Sequence, residues 1–200
     1  NAPGGNATGV SIFTTELAMK RLELLQELLK IHSLASHTFA LLVNPSSDAI
    51  EIEINESLFA AKHFGLELMV LRATSVSGLD AAFNTANQKK VSALLISADP
   101  YFNSQRDQIV ALAARHALPT MYPLRAYCEA GGLVSYGTKL SWAYQQVGAY
   151  CGRILKGAKP SELPVQLPTT FELVINLKTA KALGMTVPTS VLARADEGIE

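Results

Sequence analysis

Residues 38–43 read Thr-Phe-Ala-Leu-Leu-Val, an uninterrupted apolar run that ends at Asn44-Pro45. Such a run is typical of a strand that is buried on both faces of a parallel sheet. Residues 47–64 then carry apolar side chains at helical spacing, and Gly65 follows where a helix cap needs a positive φ angle. This stretch therefore predicts the first strand and helix of a β-α repeat.

The same alternation continues as far as Gly137. It predicts further strands at 66–72, 92–97, 118–122 and 133–137, and further helices at 76–89 and 103–117. A β-α repeat of this kind folds into a doubly wound sheet with right-handed crossovers. We therefore predict an α/β fold with a mostly parallel, three-layer αβα sheet, in the common strand order 2-1-3-4-5.

Three segments are not needed by such a domain. Residues 12–31 and 141–156 predict long helices, and residues 171–176 predict a last strand with a helix at 177–183 behind it. Because a three-layer domain can end at Gly137, we expect the two long helices to cross to a second body.

The composition argues against nucleic acid as a partner. The 17 Lys and Arg residues balance 17 Asp and Glu residues, so the formal net charge is zero. Charged residues make up 17% of the chain, where about a quarter is usual. We therefore expect either a large core or a surface that something else normally covers.

The patterns of common catalytic and cofactor sites are absent. The loop after the first strand has no glycine, so it is not a dinucleotide fingerprint, and Gly4-Gly5 lacks the Lys-Ser/Thr of a phosphate loop. The four histidines are scattered, and the two cysteines match no metal motif. We predict no catalytic residue, no cofactor and no metal.

In an open parallel sheet, ligands bind beyond the carboxyl ends of the strands, where the strand order reverses. Here the reversal lies between the first and third strands. In the loop after the first strand, Ser46 and Ser47 precede a helix whose N-terminus suits a carboxylate or another anion. The alternative is that one of these hydroxyls only caps the helix.

The loop after the third strand offers Asp99 for an ammonium group, with Tyr101 and Phe102 to cover an apolar side chain. Alternatively, Asp-Pro begins a helix that Asn103 or Ser104 caps. If the two loops lie close together, they suit a zwitterion such as an amino acid.

Arg125 follows the fourth strand, where it either reaches an anionic group or lies solvated on the surface. The candidate ligand-binding residues are therefore Asn44, Ser46, Ser47, Asp99, Tyr101, Phe102, Asn103 and Arg125.

Seven stretches carry a family resemblance: PGGNATG at 3–9, KRLELL at 20–25, LVNP at 42–45, DPYFN at 99–103, AGGLVSYG at 130–137, ILKGAKP at 154–160 and FELVINLKTA at 171–180. In these stretches and in their order, the chain resembles the ABC-transporter substrate-binding proteins of the tryptophan/aromatic-amino-acid type. The resemblance spans essentially the whole chain.

The resemblance implies the fold of a type I periplasmic binding protein, in which three crossing strands join two lobes that close on a ligand. It implies that this chain holds mainly lobe two and lacks most of lobe one. The implied organisation is a hinge segment and leading helix at 1–37, lobe two at 38–137, a crossover helix and linker packing on lobe one at 138–170, and a return strand with C-terminal helices of lobe two at 171–200.

The implied function is the solute-binding component of an ABC import system that binds a small molecule, such as an amino acid, outside the cytoplasm. The implied partners are an ABC permease in the membrane and the absent lobe. The helix at 141–156 then presents an apolar patch, either exposed or covered by a partner such as a second copy of the chain; its residues are Trp142, Tyr144, Val147, Tyr150 and Ile154.

Two alternatives stay open at this point. One is the effector-sensing domain of a repressor, which shares the fold and needs a DNA-binding head elsewhere. The other is a small α/β enzyme with Asp99 as its base, for which the sequence offers no identifiable second catalytic group.

Overall fold

The computed structural model describes residues 3–12, 17–29, 37–47 and 50–200. The helices in this part of the chain are α1 (Ala18–Leu29), α2 (Ile50–His63), α3 (Val76–Gln88), α4 (Pro100–Ser104), α5 (Arg106–Arg115), α6 (Arg125–Glu129), α7 (Leu140–Leu155), α8 (Leu177–Ala182) and α9 (Thr189–Leu192). The strands are β1 (Thr38–Val43), β2 (Glu67–Arg72), β3 (Ala93–Ile96), β4 (Thr120–Tyr122), β5 (Val134–Thr138), β6 (Phe171–Asn176) and β7 (Glu197–Ile199).

The strands form one sheet in the order β2-β1-β3-β4-β5-β6-β7. The first five are parallel, so the predicted order 2-1-3-4-5 and the α/β fold class are confirmed. β6 runs antiparallel to β5, with Thr138 opposite Phe171, and β7 runs parallel to β6. The carboxyl ends of the parallel strands, here called the carboxyl edge, therefore also receive the start of β6.

The side chains of β1 alternate between two cores, as expected of a central strand. Phe39, Leu41 and Val43 pack on one face with α1, α2, α8 and α9. Ala40 and Leu42 pack on the other face with α3, α5 and α6. The fold is thus the predicted three-layer arrangement.

α1 belongs to this domain. Leu22, Leu25 and Leu28 are completely buried in the core that covers one face of the sheet. The expectation that the leading helix crosses to a second body is therefore wrong for its described residues, because its leucine side chains pack in the core of this domain. Residues 13–16 and 30–31 of the predicted helix lie outside the described residues.

The helix predicted at 103–117 is two helices. The Asp99 carboxylate accepts from the backbone N–H groups of Tyr101 and Phe102, so α4 begins at Pro100, and the predicted caps Asn103 and Ser104 lie inside it. Gln105, with φ −100° and ψ 16°, then separates α4 from α5. The short elements α6 and β7 were not predicted.

Segments of chain run side by side near the carboxyl edge; they are here called the crossing segments (8–12, 138–140 and 163–170). The Ser11 N–H donates to the Gln166 carbonyl at 2.8 Å, and the Gln166 N–H donates to the Gly9 carbonyl at 3.0 Å. The Lys139 N–H donates to the Thr170 carbonyl at 3.1 Å. Backbone hydrogen bonds therefore tie these segments together in two pairs.

α7 projects most of its surface away from the domain. Of its described side chains, Ala143 and Tyr150 alone are buried. Tyr144 is 70% exposed and Leu155 87% exposed, and Val147 and Ile154 are also exposed. The expected apolar patch is present except for Trp142, which is half-buried, and Tyr150, whose hydroxyl donates to the Pro164 carbonyl at 2.6 Å.

Two buried polar side chains, Arg21 and Glu53, connect α1 and α2 to the carboxyl edge. The Arg21 Nε donates to the Tyr136 carbonyl of β5 at 2.8 Å, and burial lowers the pKa of Arg21 to about 10. Glu53 faces Arg21 and accepts from the Ala98 N–H, but burial outweighs both and raises the pKa of Glu53 to about 7. Two helices are thus anchored where β3 and β5 end.

Replacement of Gly137 tests how closely β5 approaches the loop after β4. A Cβ at this position would overlap the Pro123 carbonyl oxygen, which is backbone and cannot move aside cheaply. We expect Gly137→Ala to lower the free energy of unfolding in urea by about 2 kcal/mol or more.

Gly148→Ala is the matched control, because a Cβ on this exposed part of α7 meets nothing within 4 Å. It is expected to raise the free energy of unfolding by up to about 1 kcal/mol through helix propensity. Equal effects at the two positions would contradict the close approach.

The Glu53 carboxyl gives a pH dependence. Between about pH 4.5 and pH 7 the folded state binds a proton at Glu53 that the unfolded state has released, so this group's contribution to stability falls as the pH rises. Glu53→Gln has no such proton, so the wild-type free energy of unfolding minus that of the variant should fall by about 1–3 kcal/mol across the window. Urea unfolding at several pH values measures this difference, and parallel profiles would contradict it.

Candidate functional site

A cavity of about 280 Å³ opens at the carboxyl edge; it is here called the edge cavity. Residues 98–100 and 103 after β3 form one side, and residues 123, 124 and 127 after β4 form another. Ile12 and Leu140 close it from two crossing segments. The cavity therefore lies where the sheet and the crossing segments meet, as expected for a ligand site in an open α/β sheet.

Asp99 joins the two loops that the sequence singled out. Its Oδ1 caps α4 and also accepts from the Asn44 Nδ2 at 3.1 Å. The condition that the two loops lie close together is therefore met. Asp99 is 9% exposed and lines the edge cavity, so it is a buried carboxylate at the end of β3.

The serine loop is placed beside the edge cavity rather than in its wall. Asn44 uses its Oδ1 to accept from the Ser46 N–H at 3.0 Å, and so shapes the turn itself. Ser46 is exposed and Ser47 half-buried, and neither lines the cavity. The structure thus brings Asn44 to Asp99 but gives the two serines no position at this cavity.

The aromatic pair after Asp99 does not cover the cavity as expected. Phe102 is completely buried in the core of the α3–α5–α6 face, because it points inward from the first turn of α4. Tyr101 is half-buried against the same core and does not line the cavity. Asn103 does line it, and its buried Oδ1 has no hydrogen-bond partner among the described residues.

Arg125 is occupied by three carboxylates. It pairs with Glu129 at 2.8 Å, with Glu197 at 2.9 Å and with the buried Glu172 at 3.3 Å, and these contacts raise the pKa of Arg125. It does not line the edge cavity. The predicted contact with an anionic ligand is therefore replaced by a link between α6, β6 and β7.

Tyr127 is a site residue that sequence reasoning missed. It lines the edge cavity from α6, is completely buried, and stacks on Tyr122 with ring centroids 4.8 Å apart. Its hydroxyl has no hydrogen-bond partner within the described chain, and burial raises the pKa of this tyrosine. The only signal in the sequence was its position five residues beyond β4. Because α6 was not predicted, the sequence did not indicate which way the Tyr127 side chain points.

The cavity wall is polar at a few residues and apolar elsewhere. Asp99, Asn103 and Tyr127 supply oxygen atoms, and proline, leucine, isoleucine and alanine side chains supply the rest of its wall. No Lys, Arg or His lines it among the residues that the structure describes. Such a wall suits a small molecule that has both a polar and an apolar part.

A second hollow, of about 440 Å³, lies between α1 and α2 and is lined by Ala18, Met19, Asn55, Glu56 and Phe59. It contains none of the predicted site residues and lies away from the β3 and β4 loops. Across the described ranges there is no cluster of metal-ligating side chains and no helix with the length and apolarity to cross a membrane.

Two solved structures resemble this chain over nearly its whole length. A chain from Streptococcus pneumoniae, described as an ABC domain in complex with L-Trp, is 29% identical with a TM-score of 0.86; the match covers 99% of this chain and 66% of that one. A conserved domain protein from Vibrio cholerae is 25% identical with a TM-score of 0.87, over 99% of this chain and 64% of that one. The chain therefore spans about two thirds of each relative's length.

More distant matches share the fold alone. The ligand-free, open substrate-binding protein CD0873 from Clostridium difficile is 20% identical with a TM-score of 0.67, over 100% of this chain and 65% of that one. A chain from Corynebacterium glutamicum, described as a transcription regulation repressor of the LacI family, is 13% identical with a TM-score of 0.56, over 85% of this chain and 69% of that one, so the repressor alternative gains no support beyond the fold. No curated protein matches the sequence.

The profile of one protein family, described as ABC transporter substrate binding protein, matches residues 1–199. This match covers nearly the whole chain and agrees with the architecture of the sheet, the crossing segments and the cavity at the carboxyl edge. The chain belongs to the ABC transporter substrate-binding protein family.

Proposed function

We propose that the chain is the larger part of a solute receptor that works outside the cytoplasm and delivers a small molecule to an ABC permease. The observation that carries this proposal is the edge cavity, because loops of the sheet and two crossing segments bound it together. A change in the crossing segments therefore changes the cavity. Ligand binding would favour the closed arrangement in the usual way of a hinged receptor.

We further propose that the receptor has two lobes. In this organisation α1 and residues 38–137 and 171–200 form one lobe, and the other packs against α7 within 138–170. The exposed apolar stripe of α7 supports this, since a helix with two buried residues gains little from the domain it is attached to. The greater length of the two related chains from Streptococcus pneumoniae and Vibrio cholerae, of which this chain covers 66% and 64%, agrees with it.

The ligand class we propose is an amino acid. Asp99, buried at the carboxyl edge, offers a negative charge to an ammonium group, and apolar side chains line the same cavity. The carboxylate then has to be bound by groups outside the edge cavity, either the serine loop or the second lobe. The L-Trp complex of the pneumococcal relative makes tryptophan the first probe.

Isothermal calorimetry of the full gene product against the twenty L-amino acids tests the function. We expect one or a few to bind with 1:1 stoichiometry at micromolar Kd or tighter, equivalent to about −8 kcal/mol. The 200-residue chain is the matched comparison and should bind the same compound far more weakly. Silence of the full gene product across the panel would contradict the amino-acid receptor.

The α7 stripe gives a separate test of the second lobe. Val147→Glu puts a charge into the stripe, and Gln145→Glu puts the same charge on a neighbouring exposed position as a control. In the full gene product we expect Val147→Glu alone to lower the thermal unfolding temperature by several degrees, equivalent to about 1–3 kcal/mol of lost packing.

In the 200-residue chain both variants should unfold at the wild-type temperature. If that chain forms dimers through α7, sedimentation analysis will instead show that Val147→Glu converts them to monomers. No effect of Val147→Glu on the full gene product would contradict the proposed packing.

A further inference from the structure

We infer that Tyr127, together with Asn103, is a specificity-determining residue that reads the N–H-bearing end of the ligand beside Asp99. This inference rests on the proposed function, because it concerns the same cavity. It assigns a role to a residue on α6, an element that no sequence pattern indicated.

The first argument is the state of the Tyr127 hydroxyl. A buried hydroxyl without a hydrogen bond costs roughly 1–3 kcal/mol, so proteins seldom retain one without a reason. Tyr127 is completely buried, lines the edge cavity and finds no partner for its hydroxyl among the described residues. A phenylalanine would fill the same space on the Tyr122 ring without that cost, so the hydroxyl is explained by a partner that arrives with the ligand.

The second argument is that two other polar side chains line the same cavity as Tyr127. Asn103 lies in the same cavity wall with a buried Oδ1 that also has no partner within the described residues. Asp99 lines the same cavity and contributes the negative charge, while the cation of Arg106 acts on the pKa of Tyr127 in the opposite sense, lowering it. Three residues that carry acceptor oxygens therefore line one cavity.

These groups define the chemistry of the ligand end. An ammonium offers three N–H donors and a positive charge, which matches a carboxylate, an amide oxygen and a phenol oxygen. A carboxylate or phosphate at this place would face Asp99 with no Lys, Arg or His among the described lining residues to neutralise it. The cavity should therefore select an amine and reject the acid that lacks it.

Tyr122 supplies a matched control. It is the stacking partner of Tyr127 and is equally buried, but its hydroxyl bonds to Thr120 and it does not line the edge cavity. Tyr122→Phe and Tyr127→Phe thus each remove one hydroxyl from the same pair of stacked rings. If the Tyr127 hydroxyl binds ligand and the Tyr122 hydroxyl only stabilises the fold, the first variant changes the Kd and the second changes the unfolding temperature.

The experiment is calorimetry of the full gene product and both variants, with thermal unfolding of each in the absence of ligand. The probes are the L-amino acids of the panel, beginning with L-tryptophan, and the deaminated acid of each amino acid that binds, indole-3-propionate in the case of tryptophan. We expect Tyr127→Phe to weaken binding of the amino acid roughly ten- to hundred-fold, as for a lost hydrogen bond to a charged group, with no fall in unfolding temperature. Tyr122→Phe should lower the unfolding temperature and leave the Kd unchanged.

One result would overturn the inference while the proposed function stands: Tyr127→Phe with wild-type affinity. A deaminated acid that binds wild type as tightly as its amino acid would overturn the inference together with the proposed contact between Asp99 and an ammonium group. A panel in which wild type binds nothing would overturn the proposed amino-acid receptor itself. Asn103→Ala is a second variant at the same place, and it should weaken the amino acid more than the deaminated acid.

Discussion

The Asp99 carboxylate is the point on which this end of the molecule depends. One oxygen accepts from two backbone N–H groups of α4 and from the Asn44 side chain, and so fixes the start of a helix and the spacing of two loops at once. A side-chain oxygen at a helix N-terminus is worth on the order of 1 kcal/mol in an isolated helix. Here it also decides that the β1 and β3 loops meet at one side of the cavity.

The supports of the carboxyl edge come from both faces of the sheet. From one face, Arg21 binds the end of β5 and Glu53 binds the Ala98 N–H, one residue before Asp99. From the other face, Tyr127 stacks on Tyr122 and reaches the same cavity. The loop that carries Asp99 is thus held by buried polar contacts in addition to its own turn, which is what a site needs if its geometry is to persist between binding events.

Much of the fold can be predicted from the sequence, but how well each element is predicted depends on the pattern of its residues. β1 and β6 are predicted to the residue, because each is a short apolar run bounded by turn residues. The direction of β6 is another matter. Nothing in Phe171–Asn176 distinguishes parallel from antiparallel pairing, since that depends on where residues 139–170 take the chain.

The site is only partly legible for a similar reason. Asp99 follows a recognisable strand, so its position at the carboxyl edge was predictable, and its bond to Asn44 follows from the strand order. Phe102 was expected at the ligand but lies in the core, whereas Tyr127, for which the sequence offered no expectation, is buried in that core and also lines the cavity. Which side chain faces inward depends on how a helix is rotated about its axis, and α4 and α6, with five residues each, are too short for the sequence to show a helical period.

The contacts of Arg125 could not be predicted either, because its partners Glu172 and Glu197 lie on strands far along the chain.

The antiparallel strand β6 also imposes an order of assembly. As the chain grows from its N-terminus, β5 has one neighbour, β4, and its other edge is unpaired until residues 171–176 have been made. An open strand edge invites pairing with another chain, and pairings distant in sequence form slowly. Docking of β6 closes that edge and delivers Glu172 to Arg125 in the same step. Pairing of β6 with β5 and of β7 with β6 thus completes the sheet that the β-α repeat begins.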